Sequence, residues 1–352
     1  MSYQLIIEPT GEEVEVEEGQ NILDACLRAG IWMPHACCHG LCGTCKVEVL
    51  EGDVKVGDAS SFALMDIERD EGKVLACCAT LESDAVIEAD IEEDPDARSI
   101  PVRDFDARIA RLEKLTHDVM GVWLALEGEG IDFQAGQYIN LHVPGVETPR
   151  AFSLANKPSE PNLIELHIRL VADGEATPII HQDLKVGDAI RVTGPYGRFF
   201  VRKSRTSPMI FIAGGTGLSS PKSMILDLLE EQTQTPVTLF HGVRARQDLY
   251  DNELFESLAS QHANFTYVPV LSQQNEGDDW SGETGFVHEA AQRHFNSDFS
   301  GNTAYLCGPP VMIEAAIRAL MQGRLFEQDI FTERFLTKGE DSRKRSPVFK
   351  RL

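Results

Sequence analysis

The 352-residue sequence predicts a multidomain chain of mixed α+β and α/β class. A small α+β domain covers residues 1–95, an antiparallel β-barrel 100–203, and a parallel-sheet α/β domain 204–352. Three observations carry this reading. Glu92-Glu93-Asp94-Pro95-Asp96 is an acidic, proline-broken linker. From Val102 to Arg202, short β-rich runs alternate with glycine and proline turns, the pattern of a barrel. At Pro208 the period changes: Met209-Ile210-Phe211-Ile212-Ala213 is a continuous apolar strand that leads into a glycine turn and a helix.

In the first domain, residues 3–8 and 13–17 alternate polar and apolar side chains about Gly11 and read as a hairpin. Asn21 is a good N-cap for a short helix, Ile22 to Arg28, closed by Gly30. Val47–Leu50 reads as a strand, Phe62–Glu71 as a helix ended by Gly72, and Val86–Ile91 as another strand. Between the first helix and Val47 lies C-C-H-G-L-C-G-T-C, residues 37–45. Thiols at Cys37, Cys42 and Cys45, with Cys77 downstream, have the spacing of ligands to a 2Fe–2S cluster. Gly40 and Gly43 suit a loop that must wrap tightly. Scattered core thiols and a zinc site at Cys42–Cys45 are the competing readings. Zinc calls for a second closely spaced pair or a His pair, whereas the remaining partner here is Cys77, far downstream. Cys38 and Cys78 adjoin ligand candidates and read as loop or core thiols, Cys26 as a core thiol, and His35 and His39 as loop residues.

The barrel strands are expected at Arg108–Leu115, Val119–Leu126, Tyr138–Val143, Ile164–Val171 and Ala189–Thr193. They enclose Arg150-Ala151-Phe152-Ser153, His167–Val171 leading to Gly174-Glu175-Ala176-Thr177, and Gly194-Pro195-Tyr196-Gly197-Arg198-Phe199. In the last domain, Gly214-Gly215-Thr216-Gly217 precedes a helix from Pro221 to Glu231. Such a turn offers unpaired N–H groups and a helix dipole to a pyrophosphate. Further strands follow at Val237–His241, Phe265–Leu271 and Thr303–Leu306, the last running into Cys307-Gly308-Pro309-Pro310 and a helix. Phe331-Thr332-Glu333-Arg334-Phe335 comes near the end, and the polar tail from Lys338 to Leu352 is expected to be mobile.

These motifs carry a resemblance. Residues 1–93 resemble the β-grasp fold of plant-type ferredoxins. The R-x-F-S and G-P-Y-G-R-F motifs are similar to those of the flavin domain in the ferredoxin-NADP reductase superfamily. That resemblance implies bound FAD, with Arg150 on its pyrophosphate, Phe152 packed by the isoalloxazine, Ser153 near its reactive nitrogen, and Gly174 and Thr177 around the phosphates. Where members often have Tyr, this chain has Phe152. C-G-P-P resembles the nicotinamide-side motif, which implies Cys307 and Gly308 beside the nicotinamide, with Gly214, Gly215, Thr216 and Gly217 on its pyrophosphate. The closing segment implies Glu333 and Phe335 at the flavin ring. Arg244 or Arg246 could hold the extra phosphate of NADPH, but Asp248 and the general pattern resemble NADH-using members, and NADH is expected.

The domain order resembles the reductase components of bacterial multicomponent oxygenases, above all the phenol hydroxylase type, and implies a separate diiron hydroxylase as partner. Reductases of Rieske-type dioxygenases and of methane or toluene monooxygenases share the order and stay open. A redox sensor without turnover is the reading from a different class. A flavin converts hydride pairs into the single electrons that a cluster takes, so no nucleophile or acid–base pair is called for.

Composition bounds the rest. The net charge of −24 leaves no basic stripe for nucleic acid. Residues 1–95 hold 22 acidic and 5 basic side chains, an acidic pole that suits solubility or docking to a basic partner. No run of 18 apolar residues suggests a membrane span, the N-terminus does not read as a secretory signal, and reactive cysteines point to the reducing cytoplasm.

Overall fold

A computed structural model describes residues 1–91, 94–274 and 279–335; the expected mobile tail lies outside them. The chain forms two compact units that divide between Arg103 and Asp104.

The first unit runs β1 (Ser2–Glu8), β2 (Glu12–Glu17), α1 (Ile22–Arg28), β3 (Lys46–Glu51), β4 (Val54–Lys55), α2 (Asp66–Asp70), β5 (Lys73–Leu75), β6 (Thr80–Leu81) and β7 (Ala85–Glu88). β2-β1-β7-β3-β5 form one mixed sheet, with β1 and β7 parallel, and β4 pairs with β6. The hairpin and α1 match expectation. Asn21 Oδ1 accepts the Asp24 N–H at 2.8 Å, which caps the helix. Ile22, Cys26, Leu5 and Ile7 are fully buried, and burial pushes the Cys26 thiol up to about 12.

The expected Phe62–Glu71 helix is confined to Asp66–Asp70. Residues before it form a separate turn: Ala63 and Leu64 N–H both donate to the Ser60 carbonyl, at 3.0 and 2.9 Å, and Met65 N–H donates to Glu68 Oε2 at 2.9 Å, where the helix begins. Ser60 N–H donates to the Gly40 carbonyl at 2.9 Å, and Arg69 donates to the Ala59 carbonyl at 2.7 Å.

The second unit opens with β8 (Arg103–Lys114), β9 (Val119–Leu126), β10 (Tyr138–His142), β11 (Arg150–Ser153), β12 (Leu163–Arg169), α3 (Thr177–Gln182) and β13 (Ala189–Tyr196). The strand order is β11-β10-β13-β8-β9-β12, and a Leu154–Leu166 bridge joins the two edges into a barrel. Ile139, Leu141, Leu166, Ile168 and Val192 fill it.

Then come β14 (Met209–Gly214), α4 (Ser219–Glu230), β15 (Val237–Val243), α5 (Asn252–Gln261), β16 (Phe265–Leu271), β17 (Glu283–Thr284), α6 (Val287–His294), β18 (Thr303–Gly308), α7 (Pro310–Gln322) and β19 (Ile330–Arg334). The sheet is parallel in the order β17-β16-β15-β14-β18-β19. Strand order therefore reverses between β14 and β18, where open α/β sheets bind ligands. Both turns singled out in the sequence sit there: the glycine turn after β14, wound as a 3-10 turn over Gly215–Leu218, and Cys307–Gly308 at the end of β18. They meet backbone to backbone. A Cβ on Gly217 would lie 2.3 Å from the Cys307 carbonyl oxygen, and Gly308 has φ +144°, which only glycine adopts readily.

Gly217→Ala is expected to lower stability by about 1–3 kcal/mol, the usual cost of overpacking, measured as a fall in the urea midpoint.

Candidate functional site

In the first unit the four expected ligand thiols sort into two pairs. Cys37 is hydrogen-bonded to Cys42, and Cys45 to Cys77. The contact with the Cys37 thiol holds Cys42 down to about 4 and pushes Cys37 up. Cys45 is pushed up by Cys77 and by burial. Two backbone N–H groups, of His39 and Leu41, point at Cys37 Sγ at 3.4 Å each. Gly40 and Gly43 both have φ +72°, and a Cβ at Gly40 would lie 2.6 Å from the Asp58 carbonyl oxygen. Glycine is what lets the loop fold this closely.

Among the described residues, no three cysteine sulfurs crowd within 4.8 Å of one another. A tetrahedral zinc site gathers all its ligands at one point. Two separate thiol pairs suit two irons instead, and the loop fits a 2Fe–2S cluster. Cys38 is exposed, with its Sγ 3.9 Å from the Ala36 carbonyl, while Cys78 Sγ lies 3.5 Å from the Asp58 carbonyl. His35 Nδ1 is engaged by the Met33 carbonyl at 2.7 Å.

In the second unit, β11 carries Arg150, Phe152 and Ser153 along the barrel edge. Arg150 donates to Glu175 Oε2 at 2.5 Å. Glu175 is held by a tight turn in which Gly174 N–H and the Thr177 hydroxyl both bond the Val171 carbonyl, at 2.9 and 3.2 Å. The Thr177 hydroxyl also accepts Val171 N–H at 2.9 Å, so it shapes the turn that carries Glu175. Phe152 packs on the barrel core. Tyr138, cross-strand partner of Ser153, stacks on Tyr196 with ring centroids 5.5 Å apart.

Three expected reaction-centre residues converge on one carboxyl oxygen. Ser153 Oγ donates to Glu333 Oε2 at 3.1 Å, and Cys307 Sγ approaches it at 3.5 Å. Parallel pairing of β18 with β19 sets Cys307 opposite Glu333. A fourth group, Ser220 Oγ, donates to the same oxygen at 2.6 Å. Burial pushes Glu333 up against the opposing hydrogen bonds from Ser220, Ser153 and Cys307. The fully buried Cys307 is pushed well up by burial and by Glu333, so it stays a thiol. Phe335 N–H donates to the Gly308 carbonyl at 3.1 Å, which ties the closing segment to the C-G-P-P turn.

Sequence reasoning missed Ser220, because no local motif links it to Glu333, 113 residues downstream. Its neighbour Ser219 donates to the Thr216 carbonyl at 3.0 Å. At the end of β15, Asp248 Oδ2 accepts Ala245 N–H at 2.9 Å, and Arg246 donates to the Asp279 carbonyl at 2.9 Å.

Sequence-family comparison matches residues 5–82 to the 2Fe-2S iron-sulfur cluster binding domain, 106–201 to the oxidoreductase FAD-binding domain and 211–318 to the oxidoreductase NAD-binding domain. The chain is 58% identical to a phenol 2-monooxygenase reductase component of Pseudomonas sp. (strain CF600), over 100% of both chains. It is 54% identical to a phenol hydroxylase P5 protein of Acinetobacter pittii (strain PHEA-2), again over 100% of each. A crystal structure of an Amycolatopsis cytochrome P-450 reductase aligns with TM-score 0.85 and 36% identity, covering 95% of this chain and 98% of that one.

Glu333→Gln keeps the shape of the site and removes its ionisation. A carboxyl whose folded pKa is raised contributes fully below its unfolded value of about 4.3 and loses that contribution as pH climbs through the folded value. The Gln variant is therefore expected to gain stability relative to the native chain between pH 5 and pH 8, roughly the span above that reference value. Urea unfolding at both pH values checks this.

Proposed function

The chain belongs to the phenol hydroxylase reductase components, and we propose that residues 1–95 hold its iron–sulfur cluster, 100–203 its FAD and 204–352 its nicotinamide. It is an NADH-dependent oxidoreductase that delivers electrons by way of FAD and a 2Fe–2S cluster to an oxygenase component. The observation that carries the residue-level reading is the convergence of Ser153, Ser220 and Cys307 on Glu333 Oε2. It joins barrel, glycine-turn helix and switch-point strand at one place.

When bound, the flavin takes two electrons from NADH as hydride and releases them singly. The chain's own work is to place and shield. Ser153, Cys307 and Glu333 line the reaction centre. The Ser153 hydroxyl is a donor held at the barrel edge, and the neutral Cys307 thiol leaves no charge against the nicotinamide. Glu333, pushed toward its protonated form, can hold a proton there without a buried anion. Arg150 offers a forked cation to the FAD pyrophosphate, with Glu175 as its place-holder. Phe152 and Phe335 supply apolar walls, and Gly174 and Thr177 shape the phosphate turn. Gly214, Gly215, Thr216, Gly217 and Gly308 bring backbone to the dinucleotide. Cys37, Cys42, Cys45 and Cys77 hold the cluster.

The partner is the oxygenase component, which we read as a diiron hydroxylase from the likeness to that class. Ligand thiols that must stay reduced favour the cytoplasm. No described helix is long and apolar enough to cross a membrane.

Anaerobic titration with NADH, followed by visible absorption and EPR, tests the whole relay. Flavin bleaching with a reduced 2Fe–2S signal is expected, and no bleaching would overturn the reading. Cys42→Ser is expected to lose the cluster's absorption and EPR signal and to keep NADH reduction of the flavin. Arg150→Ala is expected to bind FAD about 10- to 100-fold more weakly, the worth of a charged hydrogen bond, measured by equilibrium dialysis.

A further inference from the structure

A second buried polar cluster adjoins the glycine turn. Lys222, near the start of α4, is 5% exposed. Its Nζ lies 2.9 Å from Glu165 Oε1 on barrel strand β12 and 2.9 Å from Asp251 Oδ2 at the head of α5. His167, also on β12, sets Nε2 3.0 Å from Glu165 Oε1 and 3.8 Å from Asp251 Oδ2. Asp251 takes φ 55°, a left-handed conformation that costs a non-glycine residue. Next to it, Tyr250 meets the rings of His167 and His241 edge-on, at 5.0 and 5.7 Å, and donates its hydroxyl to the Gly215 carbonyl at 3.3 Å.

Ligand atoms of Glu165, His167 and Asp251 lie within 4.8 Å of one another, a group that could hold a metal ion. The Lys222 ammonium contacts both carboxylates and serves as the cation there. Buried charges repay little net stability, and fixing one arrangement is the better-attested use of such a group. The arrangement fixed here is specific. One ammonium joins the flavin-side barrel to the corner that carries Tyr250, and Tyr250 holds Gly215. A parallel link runs beside it, where Ser223 Oγ on α4 donates to the Asn156 carbonyl at 2.6 Å and Asn156 Oδ1 accepts Glu165 N–H at 3.0 Å.

We propose that Lys222 is a positioning residue for hydride transfer, clamping the nicotinamide-side glycine turn to the flavin barrel through Glu165 and Asp251. The clamp rests on the reading above, in which those two parts carry the two reacting rings. Hydride transfer is sensitive to small misplacements, with about 1 Å worth on the order of 10²-fold in rate.

The test uses the FAD-loaded full chain carrying Glu165→Gln, Lys222→Met and Asp251→Asn together, which removes the ammonium and both carboxylates at once. In anaerobic stopped flow, the limiting rate of flavin reduction at saturating NADH is expected to fall by about 10²-fold, with NADH affinity changed much less. An unchanged limiting rate in the folded variant, whatever its melting temperature, would reduce the cluster to packing and overturn the proposal. Asp251→Asn alone cuts one arm at nearly constant volume; it is expected to slow the same step, and it decides the matter should the triple variant not fold. A second readout needs no flavin. Lys222→Ala should bind one more equivalent of Co²⁺ than the native chain in equilibrium dialysis, because the three remaining ligand groups are left facing one another. No extra equivalent would overturn the claim that the ammonium sits in a cation site. A native chain whose flavin NADH does not reduce would instead overturn the reductase reading, and the Co²⁺ result would stand apart from it.

Discussion

Two stretches of backbone in close contact hold the group around Glu333 together. The glycine turn after β14 and the Cys307–Gly308 turn after β18 touch through their backbones at the point where strand order reverses. Everything nearby is placed by that approach. It sets the start of α4, hence Ser220 and Lys222. It sets the end of β18, hence Cys307 and, through parallel pairing, Glu333. A side chain at Gly217 would push these apart, and the carboxyl of Glu333 would lose the partners that make its burial tolerable.

The two buried polar groups in the second unit solve the desolvation problem differently. Among the described residues, Glu333 has hydroxyl and thiol partners but no cation, so burial outweighs the hydrogen bonds and raises it. Glu165 is pushed up by burial too, but His167 and Lys222 hold it down to about 2. Lys222 is pulled down by burial and raised overall by Glu165 and Asp251. One site is thereby suited to carry a proton and the other to carry fixed charges, within a few residues of each other on α4. Local dielectric does not separate them; the presence of a counter-ion does.

Much of this was legible in the sequence because the chemistry demands local spacing. Cysteines at 37, 42 and 45 with two glycines between them define a loop whatever surrounds it, and the thiols pair as a two-iron site needs. The Asn21 cap and α1, the apolar β14 and the turns after β14 and β18 are likewise short-range patterns. Ser153, Cys307 and Glu333 were named from the motifs that carry them, and the structure brings the three together. What the sequence did not disclose depends on long-range contact. Ser220 is an ordinary helix-start serine until Glu333 arrives from 113 residues away. Lys222 looks like a surface lysine until Glu165 and Asp251 close on it. Residues 62–65 fail to continue a helix because Ser60 and Glu68 take their N–H groups, which no periodicity records.

The placement of Glu333 has a consequence for how the molecule is made. Cys77, last of the cluster thiols, precedes Glu333 by 256 residues in the chain. Synthesis runs from the N-terminus, and domains fold as units in that order. The first unit has its own core and can fold around its thiols while the second is still being translated. The carboxyl on which Ser153, Ser220 and Cys307 converge comes from the last described strand and joins only after every other part of the barrel and sheet exists. A nascent chain can therefore complete its cysteine loop early, while the group around Glu333 is assembled last.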